Sequence, residues 1–194
     1  MADISSIINE YPETAEIHIL SIDNECKELL ILLKRGKTEN NPLIKAVSLD
    51  NNKEFSFRFD EEKNAAVQFA APDELKGYLY EPDASLLKSG AFKLLSQRFS
   101  LKKISKGTHY YISSAIIPEF PGKIRHIVES IPFNNQGKRL IVKKYPECSV
   151  TSRNYPSSSE EIKKRLGLKE SDRFRMLATT LNDSSRYAII SELI

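Results

Sequence analysis

The sequence is poor in the residues that build disulfide scaffolds and membrane spans. Its 194 residues include two cysteines and no tryptophan. Cys26 and Cys148 are too few for a secreted disulfide framework, which favours a reducing compartment. No apolar run approaches the roughly 20 residues that a membrane-spanning helix needs, and the start of the chain lacks the basic and apolar regions of a signal peptide. We therefore expect a cytoplasmic protein with no membrane partner.

Glycine-rich cofactor loops and clusters of metal ligands are also missing. With seven glycines in all, the sequence contains neither G-x-G-x-x-G nor G-x-x-x-x-G-K-[ST], the loops that bring backbone amides against a cofactor's phosphate. There is no C-x-x-C pair, and His18, His109 and His126 stand apart from one another and from the cysteines. Isolated histidines give no support to a metal site. We assign no catalytic and no metal-binding residue.

The charges that are present are unevenly distributed. Residues 1–121 hold 15 Lys/Arg and 18 Asp/Glu, whereas residues 122–194 hold 14 and 8. A basic C-terminal block beside an acidic N-terminal one indicates a polyanionic partner for the basic block. A solvated basic surface without a partner is the alternative explanation of the same charges.

Hydrophobic periodicity in the first part of the chain predicts two helices around a strand. Residues 3–10 begin with an N-cap, Asp3, and place three isoleucines on one helical face. Residues 16–22 are nearly continuous in apolar side chains, as in a buried parallel strand. Residues 25–35 repeat apolar side chains at i, i+3, i+4 and i+7 before Gly36, and this pattern predicts a helix.

Phenylalanines alternate with polar residues in the next predicted element. The segment EFSFRF places Phe55, Phe57 and Phe59 on one face of a strand. The polar turn 50–53 joins this strand to a preceding one at 43–49. The pattern predicts an antiparallel hairpin with a buried phenylalanine face.

Shorter elements are predicted in the rest of the chain. Residues 60–77 are polar and form a candidate linker, and Asp83 caps a predicted helix that continues to about Gln97. A capping box predicts the one helix of the C-terminal block at about 159–166. The predicted strands are 101–104, 109–113, 124–131, 139–144, 174–180 and 186–192.

Three segments resemble parts of a known bacterial family. Residues 3–35 resemble the C-terminal stretch of a class I methyltransferase domain dependent on S-adenosylmethionine (SAM), particularly in NECKELL. Residues 78–113 resemble the small ferredoxin-like domain of that family, most specifically in YEPDASLLKSGAFKLL. Residues 120–180 resemble its THUMP-like domain, most specifically in RNYP and the basic helix that follows. The resemblance covers nearly the whole chain in the same order.

The resemblance implies a fold class and a domain order. It implies an α/β and α+β protein with the end of a Rossmann-like methyltransferase sheet in 1–70, a small ferredoxin-like α+β domain in 71–121 and a THUMP-like α+β domain in 122–194. In that family the cofactor loop and the catalytic motif precede the stretch that the start of this chain resembles. We therefore expect SAM as the cofactor of the intact protein and no cofactor for this chain alone. Since ligands of doubly wound sheets lie beyond the central strands, residues 1–60 would supply only a sheet edge.

These inferences predict one function and an alternative. The chain is expected to be the substrate-positioning C-terminal portion of a SAM-dependent methyltransferase acting on RNA, with the methyltransferase half upstream in the same or another chain. A positioning domain has catalytic value because methyl transfer needs in-line placement of its reactants. The alternative is a non-enzymatic binding or oligomerisation module, which would self-associate through the sheet edge beside strand 16–22.

A group of basic residues in the last block is the candidate RNA site. Arg139 and Lys143 share one face of the predicted strand 139–144. Tyr155 would stack on an unpaired base while Arg153 holds a phosphate; alternatively, Tyr155 anchors a helix to the sheet. The candidate RNA-binding residues are Lys138, Arg139, Lys143, Lys144, Arg153, Tyr155, Lys163, Lys164 and Arg165.

Overall fold

The chain folds as two units that each draw on several segments. The computed structural model describes residues 3–36 and 40–194. The first unit contains the described residues up to Val67 together with Pro82–Phe99 and Glu119–Lys123, and the second contains the rest. Both combine sheets with short helices, so the predicted α/β and α+β fold class is confirmed. The predicted boundaries at residues 70 and 121 stay a prediction.

The first unit is built on a four-stranded sheet. Its strands are β1 (Thr14–Ile22), β2 (Glu25–Leu33), β3 (Leu43–Ser48) and β4 (Lys53–Arg58), in the order β2-β1-β3-β4. β1 is central, parallel to β3 and antiparallel to β2. Ile17 and Ile19 of β1 are fully buried, which confirms the buried parallel strand predicted there.

The helix predicted over residues 25–35 is wrong, because Glu25–Leu33 form strand β2. Asp23 and Asn24 both have positive φ angles, +53° and +56°, as the two central residues of a type I′ hairpin turn do. This turn returns the chain alongside β1, where Ile22 pairs with Glu25. The leucine-rich run matches helical spacing, but the turn and the cross-strand pairing decide its structure.

Four short helices complete the first unit. They are α1 (Ile4–Glu10), α2 (Phe59–Asn64), α3 (Ala84–Ser89) and α4 (Phe92–Arg98). The carboxylate of Asp3 accepts a hydrogen bond from the Ser6 amide at 3.2 Å, which confirms the predicted N-cap of α1. Gly90, at φ +78°, divides the single helix predicted from Asp83 to Gln97 into two. The carboxylate of Glu62 accepts hydrogen bonds from the first-turn amides of α4.

The predicted phenylalanine face is correct for two of its three members. Phe55 and Phe57 point inward from β4 and are buried. Phe59 is not on that face, since the chain leaves the sheet after Arg58 and Phe59 is the first residue of α2. The segment 60–77, predicted as a linker, therefore begins inside a helix.

The second unit is built on an eight-stranded sheet in the order β10-β11-β12-β9-β6-β8-β7-β5. The strands are β5 (Gln68–Phe69), β6 (Gly77–Pro82), β7 (Lys102–Ser105), β8 (Thr108–Ser113), β9 (Gly122–Pro132), β10 (Ser149–Arg153), β11 (Phe174–Thr180) and β12 (Arg186–Leu193). Two helices, α5 (Asn135–Lys144) and α6 (Ser159–Leu166), accompany it. Five of the six strands predicted after residue 100 are confirmed.

The strand predicted over residues 139–144 is wrong, because these residues form the second half of α5. The Asn134 side chain accepts a hydrogen bond from the Gly137 amide at 2.9 Å and so caps the helix. The helix buries Ile141 against the sheet. The capping box of α6 is confirmed at Ser158 and Glu161, but α6 is one of two helices in this block, and β10 was missed.

The central strands of this sheet carry a different core on each face. Met176 and Ile190 pack on the face that also contacts Ile141 of α5 and Ile162 of α6; we call this the helix face. Leu177, one residue from Met176, packs on the other side, which we call the opposite face. Among the described residues, no helix is long and apolar enough to cross a bilayer.

Candidate nucleic-acid interface

The outer surface of α5 carries two exposed cations. Gly137 and Ile141 are buried, whereas Arg139 and Lys143 are exposed. Residues four apart lie on one side of a helix, so Arg139 and Lys143 share a face, although the predicted reason was a strand. Neither side chain forms an ion pair within the described part of the chain.

Helix α6 adds a second pair of exposed cations. Ile162 faces the core, while Lys164 and Arg165 lie in solvent. Two other predicted residues are already paired: Lys144 contacts Glu129 at 2.8 Å, and Lys163 forms an ion pair with Glu170. We call Arg139, Lys143, Lys164 and Arg165 the helix-face cations.

Tyr155 has aromatic and cationic neighbours of its own on the helix face. Its ring lies 5.3 Å from that of Phe133, and the Arg186 guanidinium lies 5.6 Å from its centroid. The Lys138 amine lies 5.3 Å above the Phe133 ring. Tyr155 also packs against the core beneath the helices. A base that stacked on Tyr155 would have to displace Arg186.

The structure does not bring Arg153 and Tyr155 together on one face. Asn154 between them has a φ angle of +53°, and its side-chain amide donates hydrogen bonds to Ser105 and Thr180. This backbone turn leaves Arg153 in register with Thr179 on the opposite face, while Tyr155 packs on the helix face. The joint role predicted for these two side chains therefore has no geometric support.

Two arginines that were not predicted lie on the same face of the sheet as Arg153. Arg125 lies two residues from the buried Ile127 on β9, and Arg175 lies two residues from Leu177 on β11, so each arginine points to the same side as that apolar neighbour. Arginines at apolar positions of two predicted strands were the signal that could have identified them. We call Arg125, Arg153 and Arg175 the arginine cluster.

A buried tyrosine and a carboxylate accompany the arginine cluster. The Tyr110 hydroxyl donates to Glu81 Oε1 at 2.7 Å, and Glu81 Oε2 lies 3.7 Å from an Nη atom of Arg175. Burial and the Glu81 charge raise the pKa of Tyr110, which the charges of Arg153 and Arg175 partly oppose. The hydroxyl is therefore neutral and acts as a hydrogen-bond donor.

The cysteines and histidines elsewhere are not arranged as a catalytic group. Burial raises the pKa of the Cys148 thiol to about 12, so the nucleophilic thiolate is absent at neutral pH. Burial and the charge of Lys103 lower the pKa of His109 to about 4, which keeps its imidazole neutral. His18 contacts Glu16 at 2.8 Å. Within residues 3–36 and 40–194, no three His, Cys, Asp or Glu side chains are grouped as metal ligands would be.

Comparisons with known proteins agree with this architecture. Residues 78–121 match a family of ferredoxin-like domains, and residues 122–192 match a family described as THUMP domain-like. No curated protein matches the chain.

One solved structure is similar over almost the whole chain. It is the crystal structure of a "putative methyltransferase from Porphyromonas gingivalis W83", with a TM-score of 0.83 and 28% sequence identity. The similarity covers 93% of this chain and 46% of that one, so this chain spans less than half the length of the protein that it matches. The chain thus combines a ferredoxin-like match and a THUMP-like match in a fold that it shares with part of that bacterial protein.

Proposed function

We propose that the chain is the substrate-positioning portion of a SAM-dependent methyltransferase that acts on RNA. The observation that carries the proposal is the structural similarity to a protein described as a putative methyltransferase, with a TM-score of 0.83. The similar region is 93% of this chain and less than half of that protein. In this proposal the SAM-binding half belongs to the same longer protein or to a separate chain. The part described above would hold the substrate while the other half transfers the methyl group.

The charge of the last block supports a nucleic-acid substrate. Residues 122–194 have a net charge of +6, from 14 Lys/Arg and 8 Asp/Glu. Four of these cations, the helix-face cations, are exposed and have no acidic partner among the described residues. Unpaired surface cations neutralise backbone phosphates and release counterions, the main source of sequence-independent affinity for nucleic acids.

Fluorescence anisotropy with a structured RNA, repeated over several salt concentrations, tests the RNA-binding part of this proposal. The double variant Arg139→Glu/Lys143→Glu should weaken binding and flatten its salt dependence, because each lost phosphate contact reduces the logarithmic slope by about 0.7–0.9. Lys34→Glu/Arg35→Glu is the matched control, since it reverses the same number of charges at two exposed positions of the first unit. Equal affinity and equal salt slope for the wild type and the double variant would show that α5 does not contact the RNA, and no measurable binding by the wild type would contradict the proposal.

The methyl-transfer part needs a different assay. The chain joined to, or mixed with, its SAM-binding half should transfer labelled methyl groups to RNA, and the α5 double variant should raise KM more than it lowers kcat. Such a change is expected of residues that bind the substrate away from the reacting atoms. Methylation with an unchanged KM would mean that α5 does not position the substrate.

One observation favours the alternative, a non-enzymatic oligomerisation module. The sheet edge expected beside strand 16–22 is not open, because β1 lies between β2 and β3, and β2 forms an edge of the four-stranded sheet instead. Its residues Leu30, Ile31, Leu32 and Leu33 are 38–55% exposed. An apolar edge strand pairs readily with another chain.

Measurement of the oligomeric state distinguishes this alternative. Light scattering after gel filtration should show a dimer or larger species for the wild type if β2 mediates self-association. Leu30→Lys/Leu32→Lys should then return the protein to a monomer. A wild-type monomer that still binds RNA would exclude self-association as the function of the chain.

A further inference from the structure

Strands β9, β10 and β11 of the eight-stranded sheet each direct one arginine to its opposite face. Arg153 ends β10 in register with Thr179, and Arg175 pairs with Ser191 of β12. Arg125 lies on β9, where its Nε donates to the Ser191 hydroxyl at 3.2 Å. Paired residues of adjacent strands point to the same side. Arg125 and Arg175 therefore lie around Ser191. Arg153 lies beside Thr179, four residues further along β11 than Arg175, and its charge acts on the Tyr110 hydroxyl, as that of Arg175 does.

Arg125 is deeply buried but its hydrogen bonds are incomplete. Its residue is 5% exposed, and its bond to Ser191 uses only the inner Nε–H. The outer Nη groups donate no hydrogen bond to any described residue, and neither Nη atom is fully buried. They are thus in contact with solvent. The Nη groups of Arg125 therefore remain available as donors to a further acceptor.

The positive charge of the cluster is not balanced by its neighbours. Glu81 is the carboxylate that contacts it, and one oxygen of Glu81 already accepts from Tyr110 at 2.7 Å. The other lies 3.7 Å from Arg175, beyond hydrogen-bond distance. Burial and the neighbouring charge of Arg175 lower the pKa of Arg125, as expected of like charges held together away from water. Glu170 also attracts Arg175, but its oxygens are already engaged by Lys163 and Ser149. Positive charge therefore exceeds negative charge at the cluster.

We propose that the arginine cluster is a binding site for a phosphate group, which the RNA substrate would supply through its phosphodiester backbone. The source of the phosphate rests on the proposed function, whereas the chemistry of the site does not. A guanidinium offers parallel N–H donors that match two phosphate oxygens, and a partly buried site screens this interaction less than bulk water does. The anion would supply the negative charge that the cluster lacks.

The test compares phosphate binding by the full chain and by variants. Calorimetric titrations use inorganic phosphate at constant ionic strength, then a short oligouridylate. The cluster variants are Arg153→Gln and Arg175→Gln, both at side chains that are partly or fully exposed and tolerate substitution better than Arg125. Arg173→Gln is the matched control, since it removes the same charge from a 73% exposed side chain that is paired with Glu192 instead.

We expect the wild type and Arg173→Gln to bind both ligands, and each cluster variant to bind them about tenfold more weakly, the effect of losing one charge-assisted hydrogen bond. Circular dichroism verifies that each variant is folded. Binding of phosphate but not of oligouridylate would support the phosphate site and count against RNA as its source. If neither titration distinguishes the Arg153→Gln/Arg175→Gln double variant from Arg173→Gln, the arginine cluster is not a phosphate site.

Discussion

Substitution of Gly137 by alanine tests how α5, which carries Arg139 and Lys143, is held against the sheet. Gly137 lies in the first turn of α5, above the end of β9. A Cβ atom added there would lie 1.9 Å from the carbonyl oxygen of Pro132 and 2.9 Å from Cγ2 of Ile131. The nearer obstacle is backbone, so no side-chain rotation can relieve it. The helix start or the strand end must move instead.

Two effects of opposite sign set the magnitude of this change. Alanine is a better helix former than glycine by about 1 kcal/mol, so α5 as an isolated helix would gain stability. Overpacking of a well-packed site costs about 1–3 kcal/mol when side chains can adjust, and here the contact is with fixed backbone. We therefore expect a net loss of about 2 kcal/mol, together with a displacement of the α5 cations.

Urea denaturation followed by far-ultraviolet circular dichroism measures the loss, since the chain has no tryptophan to report on unfolding. Gln136→Ala is the matched control, because Gln136 is exposed one position earlier in the same helix. The control should unfold at the wild-type urea concentration or slightly above it. A Gly137→Ala variant as stable as this control would refute the proposed close contact between α5 and β9.

Three further outcomes are expected. Phe57→Ala should lower the free energy of unfolding by about 3–5 kcal/mol, because the side chain is 2% exposed; an unchanged melting temperature would show that β4 is wrongly assigned. Hydrogen bonds from Lys144 and Tyr145 lower the pKa of Glu129 from its ordinary value of 4.5. The contribution of Glu129 to stability is therefore present above pH 4.5 and lost as the pH falls through the lower folded pKa. Glu129→Gln should remove this part of the acid dependence in denaturation curves measured at several pH values. Finally, calorimetric titration of the chain alone with SAM should show no saturable binding, and micromolar affinity would contradict the expected division of labour between the two halves.

The two secondary structures that sequence reasoning assigned wrongly have a common physical cause. Residues 25–33 have helical spacing but form β2, because Asp23 and Asn24 adopt the left-handed conformation that closes a tight hairpin. Residues 139–144 are rich in β-branched and apolar side chains but form a helix, because Asn134 caps it and Gly137 lets it approach the sheet. In both cases a single turn or cap outside the periodic segment determines its structure.

The candidate RNA site was predictable in composition and less so in geometry. The basic character of residues 122–194 and the solvent exposure of Lys164 and Arg165 follow from charge counts and the capping box of α6. A strand places alternate residues on one side, and a helix places every fourth residue on one side. Arg139 and Lys143 are four apart, so they share a face in either structure. The separation of Arg153 from Tyr155 could not be predicted, since it depends on the positive φ angle of Asn154.

The position of the basic residues on both faces of one sheet constrains how RNA binding should be measured. The helix-face cations lie above one face, and the arginine cluster lies on the other, with Arg153 at the end of the edge strand β10. A salt dependence measured on the wild type alone sums the contacts of both groups. Variants of α5 and of the arginine cluster must therefore be combined. Additive losses of affinity would indicate two independent contacts with the phosphate backbone, whereas a double loss no larger than one single loss would assign the interface to one face.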